Sequence, residues 1–127
     1  MQKLQRMLVR RVRGKPAGVK LAFRCDGPEV RRELDIRIFP SSSRRLVVFS
    51  TRALSEEPRE PQALLDRSTP RGEDAIEMCG WCDRFLLGGE WVEVEEAAAR
   101  LQLFRRSDLP KISHGVCPRC SAELLAA

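Results

Sequence analysis

The chain has 127 residues, 43% of them apolar and 32% charged, with 8 Gly and 8 Pro. That length suits one ordinary domain or two very small ones and excludes a large multidomain enzyme. Its longest apolar stretches, such as 46–49, are far too short to cross a bilayer, and residues 1–20 lack the apolar centre of a signal peptide. No membrane association is expected, and the cytoplasm is the expected compartment. Four of the five cysteines form two Cys-x-x-Cys pairs, a usage that in a reducing compartment points to metal or redox chemistry rather than to a disulfide framework.

The formal net charge of +5 conceals an asymmetry. Residues 1–54 carry 14 Lys/Arg against 4 Asp/Glu, whereas residues 55–127 carry 9 against 14. The halves therefore stand at +10 and −5 and can attract one another or recruit different partners.

Leu4, Met7, Leu8 and Val12 recur at helical spacing and end at Gly14 and Pro16, so an amphipathic helix is expected over 3–13. Val19, Leu21, Phe23 and Cys25 alternate with Lys20, Ala22 and Arg24, which predicts a strand with one buried face closed by Asp26-Gly-Pro28. In that register Cys25 reads as a buried small hydrophobe rather than a reactive thiol. Leu34, Ile36 and Ile38 alternate likewise up to Pro40, and a third strand begins at Leu46 and continues toward Leu54. A helix followed by a three-stranded antiparallel meander results. One three-turn helix covers only part of such a sheet, which leaves three resolutions: the second half packs across it, two chains share the face, or further N-terminal elements cover it. Sharing with a second chain is the preferred one.

Residues 55–74 contain Ser55-Glu-Glu-Pro-Arg-Glu-Pro61 and Ser68-Thr-Pro-Arg-Gly72 and read as a linker with one helical turn. Beyond it, Cys79-Gly-Trp-Cys82 and Cys117-Pro-Arg-Cys120 carry the strongest signal in the chain. A two-residue gap lets a tight turn aim both sulfurs at one point, and two such turns supply the four tetrahedral ligands of Zn²⁺. Cys79, Cys82, Cys117 and Cys120 are the expected ligands of one structural zinc, with no position left for water or substrate. An iron centre or free dithiols are the alternatives. Between the pairs, Glu90-Trp-Val92 predicts a short strand, and Val94, Ala97, Ala98, Leu101 and Phe104 predict one face of a helix with Glu95 and Glu96 in its first turn and Arg105 and Arg106 at its last. Pro118 opens a final helix through Leu125. His114, the only histidine, is expected beside the ligands, orienting a thiolate or a backbone group. Trp81 and Trp91 read as core, with Trp81 partly exposed.

Two resemblances attach to these residues. The helix and the strands at 19–25, 32–39 and 45–54 resemble the C-terminal half of a PAS sensory domain. The first two strands and small helices of that fold have no counterpart here, so a small-molecule pocket of the PAS kind is not expected. Residues 75–127 resemble a four-cysteine module of bacterial signalling proteins whose pattern is Cys-x-Trp-Cys, a Gly-x-Trp segment, a helix, and Ser-His-Gly-x-Cys-Pro-x-Cys. The counterparts here are Cys79-Gly-Trp-Cys82, Gly89-Glu-Trp91 and Ser113-His-Gly-Val-Cys-Pro-Arg-Cys120.

The expected fold class is therefore α+β: a PAS-like half at 1–54, a linker at 55–74 and a small four-cysteine zinc ribbon or knuckle at 75–127. The resemblance implies a non-enzymatic bacterial signalling protein acting through a protein partner or a homodimer, and no catalytic set of residues points elsewhere. Two alternatives remain. One is a nucleic-acid-binding zinc module using the cations Arg6, Arg10, Arg11, Arg13, Lys15 and Lys20, disfavoured because no exposed aromatic interleaves with them. The other is a thiol switch that releases zinc on oxidation.

Overall fold

The computed structural model describes residues 2–127. In chain order it contains helix α1 (Gln2–Arg13), strands β1 (Val19–Arg24), β2 (Val30–Pro40) and β3 (Val47–Pro58), a 3₁₀ turn at Ala63–Leu65, strands β4 (Arg71–Cys79), β5 (Phe85–Leu87) and β6 (Glu90–Val92), helix α2 (Val94–Arg100), a 3₁₀ turn at Leu103–Arg105, strand β7 (Leu109–Gly115) and helix α3 (Pro118–Ala126). The strands form two sheets, one of order β1-β2-β3 and one of order β6-β5-β4-β7. Among the described residues no helix is long and apolar enough to cross a membrane.

The first sheet is an antiparallel meander, with Val19 opposite Ile38 and Ile38 opposite Phe49. Gly18 makes its entry possible: it has φ +71°, and a Cβ there would meet the Ile38 carbonyl oxygen at 2.2 Å. The apolar stripe of α1 supplies Leu8 and Val12 to a core with Val19 and Ile38, and Leu124 from α3 completes it. Of the three ways to cover the sheet, packing of the second half is thus realised in part: Leu124, Trp81 and Val116 lie against the same core as Leu4, Met7 and Leu21. The coverage reaches Val47 of β3 but leaves Phe49 53% and Leu54 50% exposed. Cys25 falls one residue past the end of β1 and is exposed, contrary to the buried position its register suggests. Its N–H still donates to Arg32 O at 3.0 Å, but the strand ends there at the Asp26 turn and leaves the Cys25 side chain beyond the sheet's buried face.

Several boundaries differ from the pattern reading. Strand β3 runs on to Pro58 and β4 begins at Arg71, so secondary structure enters 55–74 from both ends. Between them the 3₁₀ turn inserts Leu64, only 1% exposed, into the core of the second sheet beside Ile76, Met78, Phe85, Val92 and Leu103. Helix α2 stops at Arg100 because Gln102 takes a left-handed conformation, φ 51° and ψ 46°. The register shift turns Leu103 inward and leaves Phe104 79% exposed, and Arg105 and Arg106 lie beyond the helix instead of in its last turn. Glu95 and Glu96 do occupy its first turn, where carboxylates suit the helix dipole.

The second sheet is larger than a knuckle with one short strand. Strands β5 and β6 form a hairpin across Gly88 and Gly89, whose φ values of 55° and 81° are those of the two-residue turn matched to strand twist. Strand β4 pairs antiparallel with β5 and parallel with β7. A parallel pair needs a long crossover, which is what the segment from β5 to the second 3₁₀ turn provides. Leu64→Ala is expected to cost about 3 kcal/mol in urea unfolding, as for a fully buried leucine, whereas Leu46→Ala, at a 68% exposed site, should cost under about 0.5 kcal/mol.

Candidate metal centre

Parallel strands end at the same edge of a sheet, and this brings the two cysteine pairs together. The β4–β7 register runs from Ala75 opposite Lys111 to Cys79 opposite Gly115. The Gly80 N–H continues the pairing to the Gly115 carbonyl at 2.9 Å. Cys79 therefore stands at the end of one strand while Cys117 stands two residues past the end of its neighbour. The first pair is closed by a tight turn in which Cys79 N–H donates to Arg84 O at 2.8 Å and Asp83 N–H to Cys79 O at 3.0 Å. Asp83 takes a left-handed φ of 62° in this turn. In the second pair, Cys117 caps α3: its sulfur accepts from the Cys120 N–H at 3.5 Å, and Pro118 occupies the first helical turn.

The four sulfurs lie within 4.8 Å of one another, and Cys82 Sγ and Cys117 Sγ are 3.8 Å apart. Four sulfurs around an ion at the usual Zn–S distance form a tetrahedron with edges of about 3.8 Å. The donor set thus fits one tetrahedral soft metal ion, and the four cysteines are the residues that could hold it. Cys79, Cys117 and Cys120 are buried, and Cys82 is half-buried. Trp81, Trp91 and Val116 pack around them, while Cys82 and Cys120 also border a cleft lined by Trp81, Arg84 and Arg119.

Backbone N–H groups prepare the site for negative charge. Cys117 N–H donates to Cys79 Sγ at 3.3 Å. The Cys79 thiol is pushed down to about 4, chiefly by the hydrogen bond from Cys82 and then, against the opposing effect of burial, by the N–H groups of Cys117, Cys82 and Trp81. Cys82 is raised because its thiol is the donor in that bond, which favours the protonated form, and because it is buried. Cys120 is pushed up to about 12, first by burial and then by its bond with Cys117. Four sulfurs this close cannot all ionise by themselves; a divalent cation supplies the charge that lets them do so, and its binding releases protons.

His114 is the residue expected beside the sulfurs. On β7 it sits opposite Met78 and faces a cleft lined also by Asp26, Leu64, Leu65, Arg67, Arg71 and Ile112. It is exposed, and among the described residues it makes no side-chain hydrogen bond to a cysteine. The neighbours that do orient the knuckle come from the other sheet, and the spacing of the cysteines gave no sign of them. The indole Nε1 of Trp81 donates to Ala22 O at 3.0 Å, the Arg24 N–H donates back to Trp81 O at 2.9 Å, and the Trp81 and Phe23 rings lie 5.5 Å apart. Asp83, next to the ligand Cys82, accepts from the Asp26 N–H at 2.7 Å, and burial pushes its carboxyl up to about 6.

Charged side chains close the seam between the sheets. Arg24 donates to both oxygens of Glu93 at 2.6 and 2.7 Å and also pairs with Asp26. Burial works against its charge, but the two carboxylates outweigh this and hold it protonated. Arg59 reaches Asp26 at 3.1 Å and lies 3.6 Å from Glu95. Its Nε and Nη1 are buried without hydrogen-bond partners, so this guanidinium is stabilised by charge more than by bonding geometry. The acidic start of α2 thus meets Arg24 of the first half and Arg59 of the segment that joins the halves.

Compared with protein-family models, with curated proteins and with solved structures, the chain matches none. The chemistry of the site therefore rests on its own geometry. Cys79→Ser and Cys117→Ser are each expected to abolish metal retention through gel filtration, whereas His114→Ala retains it at the level of the unmodified chain, as read by elemental analysis.

Proposed function

We propose that the chain is a non-enzymatic regulatory module of the bacterial signalling type, in which one structural Zn²⁺ locks a PAS-like sheet to a four-cysteine module and the assembled surface docks a protein partner. The observation that carries this reading is the closure of the sulfur site. All four tetrahedral positions are accounted for by thiolates, and Trp81, Trp91 and Val116 pack around them, which suits a structural ion and leaves no coordination position for substrate. A cytoplasmic, reducing setting agrees with five unpaired thiols. Burial of three of the four sulfurs weighs against a readily oxidised thiol switch.

The metal also has structural work in this reading. Cys120 and Leu124 are one helical turn apart on α3, so the ligand and the residue that caps the first sheet share a face. Elemental analysis should give one zinc per chain, with Cys25 reactive to a thiol reagent and the other four cysteines protected until denaturing chelation. Chelation should also speed hydrogen exchange at the Arg24 amide, which donates to Trp81 O outside the metal turn. A metal-free chain with reactive thiols, or an Arg24 amide unmoved by chelation, would remove the metal-locked reading.

One observation favours a second reading. Arg6, Arg10 and Arg13 line a groove of about 580 Å³ between α1 and β3, and the half-exposed Phe49 lies in it, supplying the aromatic that the sequence did not place near these cations. Of the other expected cations, Arg11 is occupied with the carbonyls of Leu125 and Ala127 and Lys20 with Asp35. A single-stranded nucleic acid bound there would show an affinity that falls steeply with salt and drops on Phe49→Ala; no binding at low salt would dismiss this reading.

A further inference from the structure

Strand β3 is an edge strand. It pairs only with β2, and it is long, 12 residues, and exposed over most of its length. Its first part, Val47-Val-Phe-Ser-Thr51, has high strand propensity, and Leu46, Phe49 and Leu54 leave large apolar side chains in water. An edge of this length and composition is a template for another strand.

The charges along it say which strand fits. At its start stand Arg44 and Arg45, and at its end Glu56 and Glu57. Glu56 is engaged with Arg32 at 2.9 Å, but among the described residues Arg44, Arg45 and Glu57 have no ion-pair partner. A strand running antiparallel to β3 and complementary to it must carry acid opposite its basic start and base opposite its acidic end. Strand β3 itself meets that requirement. With a two-fold axis near Thr51, the Arg44 and Arg45 end of one copy meets the partner's Glu57 and the reverse pairing recurs by symmetry. Phe49 then lies beside the partner's Ala53 on the face that α1 covers only in part. With that axis the ladder runs over 49–53; the bulge at Leu54 shifts the register beyond it, so Arg45 and Glu57 meet through their long side chains at the two ends of the ladder rather than as paired ladder positions.

We infer that the chain forms a homodimer by antiparallel pairing of β3 with β3 of a second copy, joining two three-stranded sheets into one of six. The inference rests on the interaction reading above and names its partner. It also resolves the remaining exposure of the first sheet: α1 and α3 cover the part over β1 and β2, and the second copy covers the edge at β3.

The test is sedimentation equilibrium of the metal-loaded chain at low ionic strength. A monomer–dimer equilibrium is expected. Arg45→Glu and Glu57→Arg should each weaken it about tenfold, since each change introduces two like-charge contacts per dimer, and the double variant should restore it. Both substitutions are at exposed positions, and unchanged metal content and far-ultraviolet circular dichroism establish that the variants are folded. A metal-loaded chain that stays monomeric up to several hundred micromolar, or a dimer indifferent to both single variants, overturns β3 pairing while leaving the metal-locked reading standing. A dimer that persists after chelation and still responds to the charge exchange supports β3 pairing even where the metal reading fails.

Discussion

The parallel pairing of β4 with β7 is the constraint on which the rest depends. Each Cys-x-x-Cys pair is a local turn, and a local turn can present two sulfurs but not four. Only because the two strands run side by side in the same direction do both turns emerge at one edge, with Cys79 opposite Gly115 and Cys117 two residues further on. The elements between them exist to make that direction possible: the β5–β6 hairpin, α2 and the following 3₁₀ turn carry the chain back to the start of the sheet and bury Phe85, Val92, Val94 and Ala97 in doing so. The core of the second sheet and the geometry of the sulfurs are two products of one topology.

From that edge the order spreads to the other sheet. Trp81, inside the first turn, exchanges hydrogen bonds with Ala22 and Arg24 and stacks at a tilt on Phe23. Cys120, of the second pair, lies in the first turn of α3, whose Leu124 enters the core beneath α1. Asp83 accepts from the backbone of Asp26, and the carboxylates of Glu93 and Glu95 draw Arg24 and Arg59 across the seam. Isolated exposed ion pairs contribute little, but Arg24 and Arg59 are largely buried, and removing one partner there would leave an uncompensated charge. A chain whose two segments looked separable by composition is thereby stitched at the cysteine turns.

The parts that were legible in the sequence are those whose signal is local. The stripe of Leu4, Leu8 and Val12, the alternation of 19–24 and 34–38, the charged start of α2 and Pro118 at the head of α3 each state their element within a few residues. Strands β4 and β7 do not. Strand β4 reads Arg71-Gly-Glu-Asp-Ala75 before its first buried side chain, Ile76, and β7 carries Pro110 and Lys111, so neither shows the run of alternating apolar residues that marks a strand. They become strands through pairing with each other, a tertiary effect. Leu64 was hidden for a similar reason: flanked by proline and charge, it resembles linker, and its burial follows from a core 12 or more residues ahead of it. The clustering of the four cysteines was legible because two cysteines at fixed spacing are a chemical signal independent of the fold. His114 pairs with Met78 one position before the Cys79–Gly115 pair, and among the described residues no side-chain hydrogen bond joins it to a cysteine.

The separation of the two turns has a consequence for the order in which the chain acquires its structure. Cys82 and Cys117 are 35 residues apart, and closing a flexible loop of that length costs about 3 kcal/mol in chain entropy before any contact offsets it. A metal ion met early would find only Cys79 and Cys82 close together, two of the four sulfurs a tetrahedral site needs. Its coordination is completed only after the crossover has formed and β7 has zipped onto β4. An ion held there would thus complete its coordination late, after the topology that gathers the four sulfurs. Because Leu124 lies beyond the last ligand, the first sheet, though synthesised earlier, receives its full cover last.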